Sequence, residues 1–168
     1  NPGLVVWDSY NPYPELSQLP PEVVFVSASN KSTEAFSSLS DASRGLQEVV
    51  MIYGGILNKL PESKYDFQGL LRCGQVSGIL PFQQLVQRGY FGMGFNINRN
   101  ARHVPDGNTY TMAARVWGTE PPRNPEEKER KVNLIVASDI DFIGEQFFAI
   151  RQQGIANLNF DNVSFFLN

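Results

Sequence analysis

The sequence has one cysteine, Cys73, and one histidine, His103. A single cysteine excludes an intrachain disulfide, and a zinc site built from cysteine and histidine takes about four ligands, which this chain lacks. Positive charge is also scarce, because 14 Lys and Arg residues stand against 17 Asp and Glu residues and leave a net charge of −3. A nucleic-acid-binding surface needs clustered Lys and Arg. We therefore expect no nucleic-acid partner, no metal and no cofactor.

Long apolar runs are absent as well. No stretch reaches the roughly 20 apolar residues of a transmembrane helix, and no signal peptide is recognisable. The 168 residues suit one domain, and the composition of 42% hydrophobic and 18% charged residues is that of a globular protein. We expect residues 1–168 to form a single α/β domain that belongs to a larger, membrane-anchored protein.

Short apolar runs, most of them rich in β-formers, predict the strands. The last of them, residues 132–137, is almost continuously apolar, which favours a central strand covered on both faces. Helical patterns follow, and strands that alternate with helices and loops predict an α/β fold. The apolar runs lie at 4–7, 23–26, 46–53, 67–71, 110–117 and 132–137, and the predicted helices at 81–88, 142–152 and 160–167.

An acidic loop follows the clearest strand. Ser138, Asp139 and Asp141 lie between that strand and the next helix, where ligands collect in open α/β sheets. One interpretation is an acidic rim that binds a cation or sugar hydroxyls. The alternative, which we favour, is that one of these side chains caps the helix and offsets its N-terminal dipole.

A second polar cluster lies close to the end of the sequence and contains Asn157, Asn159, Asp161 and Asn162. These side chains could hold backbone groups of the acidic loop. Turn and cap chemistry is the favoured alternative, with Asn159 or Asp161 as the N-cap of the last helix.

Catalytic motifs are scarce. A nucleophilic Cys73 would need His103 as its base, and a buried inert thiol with a surface imidazole is the favoured alternative. No G-x-S-x-G elbow, dinucleotide fingerprint or P-loop occurs, so we expect no enzymatic activity. The aromatic side chains of Tyr90, Phe91 and Phe95 could stack on a sugar, although packing is their commoner role.

Four segments, in order along the chain, resemble the motifs of one known family: residues 8–14 with 19–26, 45–57 with 68–74, 109–118, and 132–142 with 157–168. The closing segment, a strand followed by Ser-Asp-x-Asp-Phe and an Asn-rich helix start, is the most specific of them. Through these segments the chain resembles the auxiliary component of gliding-motility-type ABC transport systems, the GldG-like proteins.

The resemblance implies an extracytoplasmic (periplasmic) domain of a bacterial membrane protein, tethered by membrane segments outside this chain. It implies an ABC permease and ATPase as partners, and carbohydrate as a further ligand. The implied fold is a three-layer, mostly parallel sheet, complete or partial, similar to the class I glutamine amidotransferase-like fold without its catalytic triad. No catalytic residue carries over. The recurring polar positions of the family are matched by Ser138, Asp139, Asp141 and Asn159, which are the expected ligand-binding residues.

Overall fold

The strands form largely where β-branched and aromatic residues predict them. The computed structural model describes residues 3–88, 95–122, 124, 126–155 and 158–168. Its strands are β1 (Leu4–Asp8), β2 (Val23–Ser27), β3 (Glu48–Ile52), β4 (Asp66–Arg72), β5 (Ser77–Pro81), β6 (Val86–Arg88), β7 (Phe95–Ile97), β8 (Thr111–Glu120) and β9 (Arg130–Ala137). Its helices are α1 (Phe82–Leu85), α2 (Glu145–Gln153) and α3 (Asn162–Leu167), with short 3₁₀ helices at Pro14–Leu16 and Asp141–Ile143.

The predicted three-layer, mostly parallel α/β sheet is wrong. Throughout the described parts of the chain the strands pair antiparallel, in four small sheets ordered β1-β5, β2-β3, β4-β8-β9 and β6-β7. Parallel neighbours need a long crossover, usually a helix. Here the long connections at 28–47 and 53–65 contain no helix, and α2 and α3 come only after the last strand. The alternation of strands and helices assumed from the sequence is therefore missing.

The position predicted for the last strand is also wrong. β9 is confirmed as a strand, but it lies at the edge of the β4-β8-β9 sheet and not at its centre. Leu134 is 56% exposed, Ile135 is 49% exposed and Val136 is 40% exposed. The apolar run predicts the strand correctly. Its burial depends on which other strands pair and pack with it, and the run contains no information about that.

The β2-β3 hairpin lies between two parts of the core. Val24 and Met51, on one face, pack in the larger cluster with residues of β4 and β8. Phe25 and Val50, on the other face, pack with aromatic residues that include Phe160. Because side chains alternate between the two faces of a strand, the hairpin joins both clusters.

Side chains, and not another strand, close the outer edge of β3. The Asp161 carboxylate accepts hydrogen bonds from the N–H groups of Gln47 (2.6 Å) and Glu48 (3.2 Å), and the Asp161 N–H donates to the Glu48 carbonyl (2.7 Å). The Asn162 amide accepts from the Val50 N–H (2.9 Å) and donates to the Val50 carbonyl (2.7 Å). Asn162 is fully buried, so these bonds replace water for backbone groups that would otherwise lack partners.

Asn162 also joins β3 to the segment after the acidic loop. Its Nδ2 donates a second hydrogen bond, to the Phe142 carbonyl at 2.7 Å. Phe142 is buried in the larger core cluster. One buried amide therefore fixes the strand, the start of α3 and the 3₁₀ helix at Asp141–Ile143 relative to one another.

We predict that Asn162→Asp strongly destabilises the protein. The substitution places a carboxyl oxygen against the carbonyls of Val50 and Phe142 and leaves buried groups without donors, at a cost of about 3 kcal/mol or more. Urea denaturation measures the free energy of unfolding. The matched control is Asn159→Asp, because Asn159 is exposed and precedes the same helix. Equal effects of the two substitutions would contradict the assigned role of Asn162.

Candidate functional site

The carboxylate of Asp139 is turned towards the backbone of neighbouring segments. Its Oδ2 accepts a hydrogen bond from the Ile52 N–H (2.7 Å), which continues the closure of the β3 edge. Its Oδ1 accepts from the Asp141 N–H (2.8 Å), which forms the turn leading into the 3₁₀ helix. Both carboxylate oxygens therefore hold backbone groups, and the loop joins β9 to β3.

Burial raises the pKa of the Asp139 carboxyl, and the hydrogen bonds from Ile52 and Asp141 oppose part of that rise. The nearby Asp141 carboxylate adds a small upward contribution. A half-buried carboxylate that already accepts two backbone hydrogen bonds is arranged to hold a loop in place. That arrangement leaves little freedom for it to rearrange around a cation.

The other predicted ligand-binding residues do not converge with Asp139 on one point. The Ser138 hydroxyl is buried and has no hydrogen-bond partner in the described parts of the chain. Asp141 and Asn159 are exposed. Across the same residues, no hydrogen bond joins Asn159 to Ser138, Asp139 or Asp141. Ligand binding at these four residues stays a prediction.

Side-chain capping is not what these polar residues do. Gly144, and no residue of the acidic loop, is the N-cap of α2. Asp161 is the N-cap residue of α3, as the sequence predicts, but its side chain makes no cap hydrogen bond. The Asp161 carboxylate binds the backbone at Gln47 and Glu48. Asn157, Tyr90 and Phe91 lie outside the described residues, and for Phe95 only the backbone of β7 is described.

Cys73 is fully buried, and its Sγ accepts a hydrogen bond from the Tyr110 N–H (3.0 Å) and lies 3.3 Å from the Ser77 hydroxyl. Burial raises the pKa of this thiol. A buried, protonated thiol is a poor nucleophile. The burial of the Cys73 thiol, which the sequence analysis favours, is confirmed.

His103 pairs with a different residue. Its Nε2 lies 2.8 Å from Oε1 of Glu22, and the two side chains are 21% and 3% exposed. The surface imidazole expected from the sequence is therefore wrong, because His103 is largely covered. The pairing joins residues 81 positions apart, and no local pattern around either residue signals it.

A cavity of about 750 Å³ opens at this pair. Its polar residues include Glu22, His103 and Arg99, with Tyr53 on its wall and prolines at its edge. Burial raises the pKa of the Tyr53 hydroxyl, the Glu22 charge raises it further and the Arg99 charge lowers it. The Tyr53 hydroxyl therefore lies close enough to one acidic and one basic side chain for both charges to affect its pKa.

The backbone at this cavity is held in an unusual conformation. Tyr53 follows β3 directly and has a φ of +53°, a left-handed conformation that costs an L-residue roughly 1–2 kcal/mol. The Tyr53 N–H donates to the Glu22 carbonyl at 3.0 Å, next to the Val23↔Ile52 pair of the β2-β3 hairpin, which fixes the two residues side by side at the cavity. Such strain is concentrated at functional sites, and it marks the cavity as a candidate.

Trp7 supports the imidazole from behind. The two rings lie edge to face, with centroids 5.1 Å apart, and the Trp7 indole Nε1 is buried without a hydrogen-bond partner among the described residues. Trp7 pairs with Gly78 in the β1-β5 ladder. A Cβ at Gly78 would come within 2.9 Å of Nε1, so glycine is needed for the indole to lie across this strand.

The described residues contain neither a metal-ligand cluster nor a membrane-spanning helix. No group of three or more His, Cys, Asp or Glu side chains in these ranges is placed to hold a metal ion. In the same ranges, no helix has the length and apolar character to cross a membrane.

We predict that ionisation of Asp139 lowers the free energy of unfolding as pH rises. The pKa of Asp139 in the native state lies above the ordinary value of 3.8, which applies to the unfolded chain. At a pH between these two pKa values, the native state binds more protons than the unfolded chain does. The free energy of unfolding of the wild type should therefore rise, relative to that of Asp139→Asn, as pH falls through this window. Urea denaturation of both proteins between pH 7 and pH 4 measures the difference. A difference that is constant or shrinks on acidification would contradict it.

Comparison with known proteins identifies the family. No curated protein and no solved structure matches this chain. One family model, described as an ABC-type uncharacterized transport system, matches residues 1–168. The match covers the entire sequence, and it includes the acidic loop, the β3 closure and the Glu22–His103 cavity. The chain therefore belongs to this family of auxiliary components of ABC-type transport systems.

Proposed function

We propose that the chain is a non-catalytic accessory domain that docks a protein along the open edge of β9, in the service of an ABC-type transport system. The observation that carries this proposal is the exposure of Leu134, Ile135 and Val136 on an edge strand. Long, apolar edge strands invite pairing with another chain, and proteins normally shield them.

The backbone at this edge is ready for a strand-like ligand. The Ser138 N–H donates to the Met112 carbonyl (2.9 Å), so the even-numbered residues of β9 direct their backbone groups to β8. The odd-numbered residues Lys131, Asn133, Ile135 and Ala137 then direct theirs outward. In the described residues no other strand pairs with β9. An extended segment could satisfy these groups by strand addition.

An apolar groove beside the edge offers room for side chains. It has a volume of about 500 Å³ and runs between β9 and α3, with Ile135, Ile140 and Phe166 among its lining residues. Ile140 is 82% exposed and Phe166 is 56% exposed. A contiguous apolar surface of this kind favours a protein contact.

The proposal also includes the subgroup, location and partners that the family resemblance implies. We place the domain in the gliding-motility-type, GldG-like group and on the extracytoplasmic side of a bacterial membrane. Membrane segments outside this chain would anchor it, and the ABC permease and ATPase would be its partners. The four ordered sequence segments support this assignment, and the buried thiol of Cys73 supports a non-catalytic role.

We predict that Leu134→Lys in the parent protein impairs the transport system, because a buried lysine would oppose docking at the strand edge. The measurement is complementation of a strain that lacks the gene, together with the amount of permease and ATPase that co-purifies with the tagged wild-type parent. Val104→Lys is the matched control, since Val104 is also 56% exposed and lies in the connection between β7 and β8.

Each readout can contradict part of the proposal. Full complementation by Leu134→Lys would remove the role of β9. A wild-type parent that co-purifies with neither the permease nor the ATPase would remove the assignment of partners. Equal loss with Val104→Lys would show that the effect is not specific to the edge.

A second candidate function is the binding of a small polar ligand, such as a saccharide, and the Glu22–His103 cavity favours it. The volume of about 750 Å³ lies in the range of small-molecule sites. Its walls combine a buried carboxylate, a guanidinium and an aromatic hydroxyl with apolar proline and isoleucine surfaces. This cavity is a stronger site for such a ligand than Asp139 and Asp141, whose loop holds the fold together.

We predict that a ligand of this cavity raises the melting temperature of the wild type but not that of Glu22→Gln. Binding to the native state alone stabilises it by about 2.7 kcal/mol at a hundredfold excess over Kd. Thermal-shift measurements with mono- and oligosaccharides, with and without calcium, test this. Glu62→Gln is the control, because Glu62 is exposed. No stabilisation at millimolar ligand, or an undiminished shift in Glu22→Gln, would contradict it.

A further inference from the structure

We infer that the strand that covers β9 is β9 of a second copy of this chain, paired antiparallel about a two-fold axis at Leu134. The inference rests on the proposed docking role of β9 and names the occupant of that edge. Pairing of this kind would join two β4-β8-β9 sheets into one continuous six-stranded sheet.

The backbone groups of the edge are self-complementary in this register. A two-fold axis at Leu134 places Lys131 opposite Ala137 of the other copy, and Asn133 opposite Ile135. All four residues direct their backbone groups outward, and each such pair exchanges two hydrogen bonds. The pairing of β8 with β9 runs without a register shift from Ala113↔Ala137 to Glu120↔Arg130, so no bulge turns the edge away.

The side chains between these pairs are self-complementary too. Leu134 would face Leu134 of the second copy, and Val132 would face Val136. These positions do not exchange hydrogen bonds, so their Cα atoms approach to about 4.5 Å and their side chains pack closely. Leu134 and Val136 are now 56% and 40% exposed, and the pairing would cover both.

The central part of the edge carries none of the devices that keep strands apart. Residues 132–137 contain no proline and no charged side chain, and the ladder to β8 is regular, whereas Arg130 and Lys131 occupy the first two positions of β9. Natural edge strands are usually protected by a charge, a proline or a bulge. An unprotected, self-complementary edge is suited to a permanent isologous contact.

Solution mass is the first test. We expect the wild-type chain at about 100 µM to have twice the mass of one chain in sedimentation or light scattering. Leu134→Lys should have the mass of one chain, and Val104→Lys should keep twice that mass. A folded wild type with the mass of a single chain at this concentration would overturn the inference.

Cysteine cross-linking tests the register. Leu134→Cys lies on the proposed axis, where the expected Cα separation suits a disulfide, so oxidation should link two copies. Native Cys73 is buried and does not compete. Val132→Cys and Val136→Cys should link when mixed, and neither should link alone. Val104→Cys, matched in exposure, should stay unlinked, and absence of the Leu134→Cys dimer would overturn this register.

These results are separable from the proposed transport function. A chain that stays single in solution while Leu134→Lys still abolishes complementation would leave β9 as a docking edge for a different protein. A dimer by mass and cross-linking, with full complementation by Leu134→Lys, would support self-pairing and contradict the role of β9 in transport.

Discussion

The closure of the β3 edge by polar side chains is the interaction on which the rest of this structure depends. A third strand normally occupies such an edge, and here Asp139, Asp161 and Asn162 supply the hydrogen bonds in its place. They contact alternate backbone groups of one strand, so together they fix its position along its axis. A one-residue shift of β3 would break all of these contacts at once.

Both other regions of interest are positioned through this closure. Asp139 connects Ile52 at the end of β3 to the loop that follows β9, and Tyr53, the next residue, enters the Glu22–His103 cavity. Trp7 packs against His103 of that cavity from β1, whose Val6 N–H donates to the Gly54 carbonyl at 2.9 Å. The cavity and the open edge of β9 are therefore linked through one set of contacts, although they lie on different sheets.

The sequence predicts the local structure of this chain well and its long-range pairing poorly. Apolar β-branched runs identify β2 and β9, because strand propensity is local. The direction in which strands pair and the extent to which they are buried depend on distant residues. The predictions of a parallel sheet and of a central position for β9 are therefore wrong. The sequence draws attention to the acidic loop and to the polar cluster near its end, but it predicts helix capping where the Asp139 and Asp161 carboxylates bind the backbone of a strand. Glu22 and His103 could not be paired from the sequence, because nothing near either residue points to the other.

The distance along the sequence between β3 and its closing residues has a consequence for biogenesis. Asn162 lies 112 residues after Val50, so the β2-β3 hairpin leaves the ribosome long before its outer edge can be satisfied. At synthesis rates of about 5–20 residues per second, that edge stays open for several seconds or more. Folding through such non-local contacts is slow, and the nascent hairpin exposes the unpaired backbone groups of β3 during that interval.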